Sequence, residues 1–296
     1  DTVLDPFMGS AVICSESIGL GRNFVGTDLN PLAVRLGEFY SNPPSLEMMI
    51  KSIEGIETTL NILESELYTT ICDRCNQKTR IINSIWIDLE PQSKYVNCEN
   101  CKNRGQFDYN DSDRKLIQSL ETRPMKWHPQ DVKMPSDSDV ESYSELFSHR
   151  NLIALSEIFH YISSKENNTN SAMILAFTSL LPRASKMVFI NAHRRSKGNN
   201  PAGVWGEKRY WIPPEHIENN VVYYFRERLE GLKNAIIDLK ENCANKNDVN
   251  SRVSLGSATN LNFLSDETID FCFTDPPYGD AVRYLDLSTI WNAWIT

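Results

Sequence analysis

Two short cysteine pairs, Cys72-x-x-Cys75 and Cys98-x-x-Cys101, constrain this chain more than any other feature. Each has the spacing of a metal knuckle, and the intervening residues leave room for a β-hairpin that brings four thiolates around one zinc ion. The run from Ile81 to Ile87 followed by Pro91-Gln92-Ser93 predicts a strand and a turn between the knuckles. Four cysteine ligands leave no open coordination position, so such an ion is structural and not a catalyst. A ribbon this small has little core, and the metal supplies most of its folding free energy. Paired usage in a reducing compartment favours metal over disulfides. The other three of the seven cysteines, Cys14, Cys243 and Cys272, are therefore read as reduced thiols.

A chain of 296 residues can bury one substantial core and carry a second module. No apolar run approaches the roughly 18 residues of a membrane helix, and Asp1-Thr2-Val3-Leu4-Asp5 lacks the basic and apolar regions of a signal peptide. The expectation is a cytoplasmic protein without a membrane partner. A net charge of −9 argues against a general nucleic-acid coat and leaves room for a local basic cleft.

The two ends of the chain carry the chemistry. Val3-Leu4-Asp5-Pro6-Phe7-Met8-Gly9-Ser10-Ala11 reads as a strand, a tight glycine turn and a helix through about Ser17. Phe24-Val25-Gly26-Thr27-Asp28 is a second strand that ends in an acid 19 residues beyond Gly9. A glycine turn lets backbone N–H groups approach a cofactor, and an acid about 20 residues on can hold ribose hydroxyls, which is the nucleoside-binding half of a doubly wound sheet. At the other end, the apolar run Ile269-Asp270-Phe271-Cys272-Phe273 predicts a buried strand. Thr274-Asp275-Pro276-Pro277-Tyr278 sits at its exit, where two prolines impose a stiff turn. That turn gathers a carboxylate, two carbonyls and an aromatic face. Such a set can accept hydrogen bonds from an amino group while the ring stacks on the planar system that bears it. A Pro-Pro strand terminator with an ordinary tyrosine is the alternative.

Asp5-Pro6-Phe7-Met8-Gly9-Ser10, then Gly26-Thr27-Asp28-x-Asn30-Pro31, then Asp275-Pro276-Pro277-Tyr278 resemble the S-adenosylmethionine-dependent DNA amino-methyltransferases. Within them, the chain is most similar to the adenine-specific DNA methylases that carry a zinc ribbon. The likeness covers residues 1–40 and 253–296 well, the ribbon moderately and the middle loosely. The family pattern has Gly where Ala11 stands and an acid where Ser257 stands. The resemblance implies a doubly wound Rossmann-like sheet and cofactor contacts at Asp5, Phe7, Gly9, Ser10 and Asp28. It also implies a catalytic set of Asp275, Pro276, Pro277 and Tyr278. About three further strands normally follow the one ending at Asp275, so a partner segment or subunit is expected to complete the sheet, or else the chain is truncated.

Between the two ends, Leu46, Met49, Ile53, Ile56, Leu60, Leu63 and Leu67 recur at alternating spacings of three and four, as do Val222, Phe225, Leu229, Leu232, Ile236 and Leu239. Both patterns predict long amphipathic helices. They fit an antiparallel stalk, or two separate helices packed on the core. The polar stretch 106–147, acidic from Asp131 to Glu145, reads as a solvated linker, and apolar helices are expected over Arg150–Ile162 and Ser171–Leu181. The segment from His193 to Trp211 mixes Arg194, Arg195, Lys197, Lys208 and Arg209 with Trp205, Tyr210 and Trp211. Cations of this kind neutralise phosphates and aromatics stack on bases, so DNA is the expected partner there. A basic surface loop whose tryptophans enter the core is the alternative.

These observations divide the chain into a cofactor-binding half of the core (1–44), a first stalk helix (45–67), a zinc ribbon (68–105), an inserted helical and target-recognition region (106–216), a second stalk helix (217–241) and a catalytic half (242–296). The activity implied by the resemblance is methyl transfer from S-adenosylmethionine to N6 of adenine in DNA. The alternatives are cytosine N4, an RNA amine, or an inactive zinc-ribbon module that binds nucleic acid.

Overall fold

The computed structural model describes residues 1–165, 169–206, 209–242, 249–277, 279 and 282–296. Tyr278, Lys208 and Cys243 lie outside the described residues. The first elements are β1 (Thr2–Asp5), α1 (Val12–Gly19), β2 (Asn23–Asp28), α2 (Pro31–Ser41) and α3 (Leu46–Leu67). Next come β3 (Thr69–Ile71), β4 (Lys78–Ile87), β5 (Glu90–Asn97), β6 (Arg104–Asp108) and α4 (Asp111–Leu120). They are followed by α5 (His149–Ser163), α6 (Asn170–Ala184), α7 (Ala192–Ser196), β7 (Glu215–Asn219) and α8 (Val221–Asn242). The chain closes with β8 (Ser251–Leu255), β9 (Phe271–Cys272), α9 (Tyr284–Leu287) and α10 (Thr289–Asn292). The protein is mixed α/β and divides into two units. Unit 1 comprises Asp1–Ser52, Asn167–Ala176 and Leu229–Thr296, and unit 2 comprises Ile53–Glu166 and Phe177–Arg228. No helix among the described residues is long and apolar enough to cross a membrane.

Unit 1 is built on a four-stranded sheet of order β8-β2-β1-β9 in which every pairing is parallel. Val3 of β1 packs against a buried cluster of Met8, Ala11, Cys14, Ile18 and Phe24, and Leu4, the next residue of the strand, is also buried. Asn30 caps α2 by accepting the Leu32 N–H at 3.1 Å, and Pro31 opens the helix, where a missing donor costs nothing. Glycine lets β2 and α2 come close: a Cβ on Gly26 would stand 2.6 Å from a Phe24 ring carbon and 2.9 Å from the Met8 sulfur, and one on Gly37 2.6 Å from that sulfur. The strand expected over 269–273 is shorter and barer than its composition implied. β9 is two residues long, and Phe271 and Phe273 are 59% and 44% exposed. β9 ends the strand order and bonds only to β1 among the described residues, so its side chains meet little of the core. Past it lie two one-turn helices, α9 and α10, with Ile290 and Trp294 buried.

Unit 2 contains an antiparallel sheet of order β3-β4-β5-β6, with β7 paired to the far part of β4. The turn between β4 and β5 is not at 91–93 but at Asp88 and Leu89, whose φ angles of +48° and +66° are those of a two-residue hairpin turn. Neither residue is the glycine or asparagine that usually marks such a turn, and Pro91 lies within β5. The expected linker 106–147 also holds ordered elements. Its first residues complete β6, and α4 follows behind an Asn110/Asp113 capping box. Polarity there does not mean solvent: Asp113 is buried and takes the wholly buried Lys94 ammonium at 2.6 Å and the Thr70 hydroxyl at 2.6 Å.

A second buried ion pair joins α5 to β7. The Arg150 guanidinium is bonded to Glu218, whose carboxylate also takes the Ser148 hydroxyl and, at 2.9 Å, the Trp86 indole N–H. Arg150 further donates to Ser84 and Tyr109, each at 3.2 Å, and lies over the Tyr68 ring. Burial alone would push the Glu218 carboxyl up, yet the adjacent guanidinium holds it below the ordinary carboxylate range. The two amphipathic repeats form unbroken 22-residue helices, α3 and α8. Within unit 2, Arg226 of α8 reaches Glu57, Asn61 and Glu64 of α3, each at 2.9 Å.

Replacing Gly26 with alanine is expected to cost about 1–3 kcal/mol, because a methyl group there overlaps Phe24 and Met8. Thermal unfolding followed by circular dichroism will show a lowered midpoint, and an unchanged midpoint will refute the close packing of β2.

Candidate functional site

Parallel pairing sets up the first candidate site. Val3 and Leu4 of β1 stand opposite Phe271 and Cys272 of β9, and the Phe273 N–H donates to the Leu4 carbonyl at 2.9 Å. β2 lies on the other side of β1, with Asp5 opposite Gly26. The carboxyl ends of three strands therefore open on one side of unit 1, and each delivers an acid there: Asp5, Asp28 and Asp275. Asp5 is 4% exposed and accepts the Phe7 N–H at 3.0 Å. Burial raises its carboxyl above the ordinary range; the Phe7 amide opposes this, while Asp28 and Asp275 add to it. Asp28 and Asp275 are thus both close enough to Asp5 to oppose its ionisation.

The turn after β1 is shaped by backbone conformation. Gly9 takes φ +50°, and its N–H donates to an Asp28 carboxylate oxygen at 2.7 Å. The second Asp28 oxygen accepts the Asn30 N–H at 2.7 Å. Asp28 is thus locked in place by the turn it faces, with Gly9 and Ser10 exposed beside it and Phe7 half-buried. Ala11 also adopts a left-handed conformation, φ +60°, at the start of α1, a geometry that glycine takes without strain. Its methyl group does not stand in the crevice, because Ala11 is wholly buried in the apolar cluster under the sheet. Asp275, Pro276 and Pro277 are exposed. The Asn30 side-chain amide donates to the Ser288 hydroxyl at 2.8 Å, which ties the turn after β2 to the start of α10. Ser257 is bonded to Thr259 beyond β8.

The second candidate site is the four-cysteine cluster of unit 2. The ligand atoms of Cys72, Cys75, Cys98 and Cys101 all lie within 4.8 Å of one another. The Cys72–Cys101 and Cys75–Cys98 sulfur separations are both 3.7 Å. A tetrahedral ion with metal–sulfur bonds of about 2.3 Å sets sulfurs about 3.8 Å apart, so the cluster can hold such an ion without rearrangement. Its two halves repeat one backbone design. The Cys72 N–H donates to the Gln77 carbonyl and the Cys98 N–H to the Asn103 carbonyl, while Asn76 and Lys102, each four residues after the first cysteine, have φ +54° and +58°. The Cys75 and then the Arg74 amides hold the Cys72 thiol down at about 6, and the Asn100 side chain lowers Cys75; in the same cluster the Asn103 amide is outweighed by burial and the neighbouring cysteines, which push Cys101 up to about 11. Thiolates are the form that binds a cation. The buried Lys94–Asp113 pair sits behind the first knuckle, with Asp73 3.9 Å from the Lys94 ammonium. Sequence reasoning overlooked this pair; the Asn110-x-x-Asp113 cap was its one visible trace.

The basic segment is divided by the structure. Arg194, Arg195 and Lys197 are exposed on or beside α7, which Asn191 caps through the Arg194 N–H at 3.0 Å. Arg209 donates to Asp139 at 3.1 Å, and Trp205 stacks on the fully buried Tyr210 with centroids 5.4 Å apart. Arg194, Arg195 and Lys197 thus stay on the surface, while part of the aromatic set enters the core. In comparisons with family models, curated protein sequences and solved structures, the chain gives no significant match.

Purified under reducing conditions, the protein is expected to carry about one equivalent of Zn2+, which EDTA removes with loss of β-structure in the ribbon. Metal analysis of Cys98→Ser should show at least a tenfold loss of occupancy; full retention would mean that these thiols are not the ligands.

Proposed function

We propose that unit 1 is a Rossmann-like methyltransferase core and that the protein transfers a methyl group from S-adenosylmethionine to the exocyclic N6 of adenine in DNA. The observation that carries this reading is the parallel pairing of β1 with β9, which puts the Asp275 turn beside the Gly9 turn and Asp28. The chain's own groups suit such a cofactor. Exposed backbone at Gly9 and Ser10 permits close approach, Asp28 is fixed at a strand end where a ribose would lie, and three acids form a negative field that favours a sulfonium. When bound, the cofactor supplies an electrophilic methyl group.

Adenine's amino nitrogen is a poor nucleophile because its lone pair is delocalised into the ring. In this reading, the Asp275 carboxylate and the Pro276 carbonyl accept its two hydrogens and draw the nitrogen out of conjugation. Pro277 stiffens the turn, and Tyr278 stacks on the base. Positioning and electrostatics provide the acceleration, with no covalent enzyme intermediate. The target must leave the helix stack to reach the turn. Arg194, Arg195 and Lys197 supply phosphate contacts, the four cysteines hold structural zinc, and the exposed edge at β9 is the surface where a sheet-completing segment would pair.

Incubation of the protein with tritiated S-adenosylmethionine and unmethylated DNA should label N6-methyladenine. Label in N4-methylcytosine or in RNA would change the substrate assigned. Asp275→Ala should lower transfer by at least about 100-fold while cofactor affinity stays within about twofold; a variant that still transfers removes Asp275 from the chemistry. Joint replacement of Arg194 and Arg195 with alanine should weaken DNA binding and flatten the slope of log K against log salt by up to about 1.8. An unaltered slope would place the DNA elsewhere.

A further inference from the structure

Unit 2 encloses a cavity of about 320 Å3 that neither candidate site uses. Two of its wall residues, Trp86 of β4 and His216 of β7, are directly paired across the strands, with nearly parallel rings 6.3 Å apart. The Arg150–Glu218 pair also lines it, and there the two charges cancel. Two further cations in the lining, Arg114 and Lys186, make no ion pair among the described residues; Arg114 donates to the Pro91 carbonyl at 3.2 Å. His216 is 3% exposed, and its Nδ1 has no hydrogen-bond partner among the described residues; nor has Nε2 of His149, another lining residue. Burial, with Lys186 beside it, takes the His216 imidazole down to about 4, so it is neutral at neutral pH.

Lys186, whose burial works against its charge while Glu145 and Glu218 favour it, and Arg114 thus bring two cations to one space beside an aromatic ring, and a cavity with a few convergent polar groups is a candidate ligand site. Cations ask for an anion, and an indole ring offers a flat aromatic surface. Glu90 and Glu121, the remaining acids of the lining, are exposed, where water screens them. The volume lies at the low end of the roughly 300–1,000 Å3 usual for small-ligand sites, which admits one nucleotide and not two.

We propose that this cavity binds a single nucleoside monophosphate, either free or as one residue of a strand. Its base lies against Trp86, and its phosphate is held by Lys186 and Arg114.

Isothermal titration of the metal-loaded full chain with dAMP, without S-adenosylmethionine, tests this independently of methyl transfer. Saturable one-site binding is expected, with adenosine and inorganic phosphate each binding at least about tenfold more weakly. Lys186→Met, which removes a charge from a partly exposed side chain, should weaken dAMP about tenfold or more and leave adenosine unaffected. A short single-stranded oligonucleotide that displaces dAMP identifies a strand as the source, and one that does not identifies the free nucleotide. No saturable dAMP binding, or equal binding by a folded Lys186→Met variant, overturns the proposal.

Discussion

The parallel pairing of β1 with β9 is the constraint on which unit 1 turns. Thr2 and Asp270 are 268 positions apart, yet the Thr2 N–H donates to the Asp270 carboxylate at 2.7 Å and the Asp270 N–H returns to the Thr2 carbonyl at 3.1 Å. Closing so long a loop costs entropy that grows only slowly with its length, so a few strand-to-strand hydrogen bonds and the apolar layer under β1 suffice to offset it. Once the strands lie side by side and point the same way, their carboxyl ends share one side of the sheet. The acids at 5, 28 and 275 then converge without any further device. Burial raises the Asp5 carboxyl, and the nearby Asp28 and Asp275 add to that rise.

Unit 2 is organised differently. Its sheet is antiparallel, with β3 to β6 following one another in the chain and β7 joining β4 from far along it, and it carries two buried ion pairs that tie further elements to it. Lys94–Asp113 joins β5 to α4 and, through Thr70, to β3; Arg150–Glu218 joins α5 to β7 and, through Ser84 and Tyr109, to β4 and the end of β6. Buried charges are tolerable only when fully partnered, and removing one partner strands the other. Such pairs therefore select one arrangement of the strands and helices.

Periodic and motif-based features were legible in the chain, because they rest on local geometry. The two long helices at 46–67 and 221–242 follow from apolar spacing, and the cysteine knuckles from ligand spacing. The strand, glycine turn, helix and strand of the first 28 residues follow from turn chemistry. Three features were illegible for identifiable reasons. The Asp88-Leu89 turn lacks the glycine that would announce it, since residues of either kind accept left-handed angles when the flanking strands pay for them. The 106–147 segment looked solvated because charge in a sequence does not disclose whether a partner waits in the interior, as Lys94 does for Asp113. The run before Asp275 looked buried because aromatic content speaks for burial, whereas position at the end of a sheet decides it.

The sequence by itself determined which residues can ligate a metal, where helices begin and how the glycine turn bends, since spacing and backbone stereochemistry settle these within a few residues. Only tertiary structure decided that Asp28 and Asp275 both come close to Asp5, that Tyr210 is interior while Arg194 and Arg195 are not, and that Trp86, His216 and Lys186 border one space. Those outcomes depend on which strands become neighbours and in what direction they run. They are fixed by burial and hydrogen bonding summed over the whole fold, to which no short stretch of chain has access.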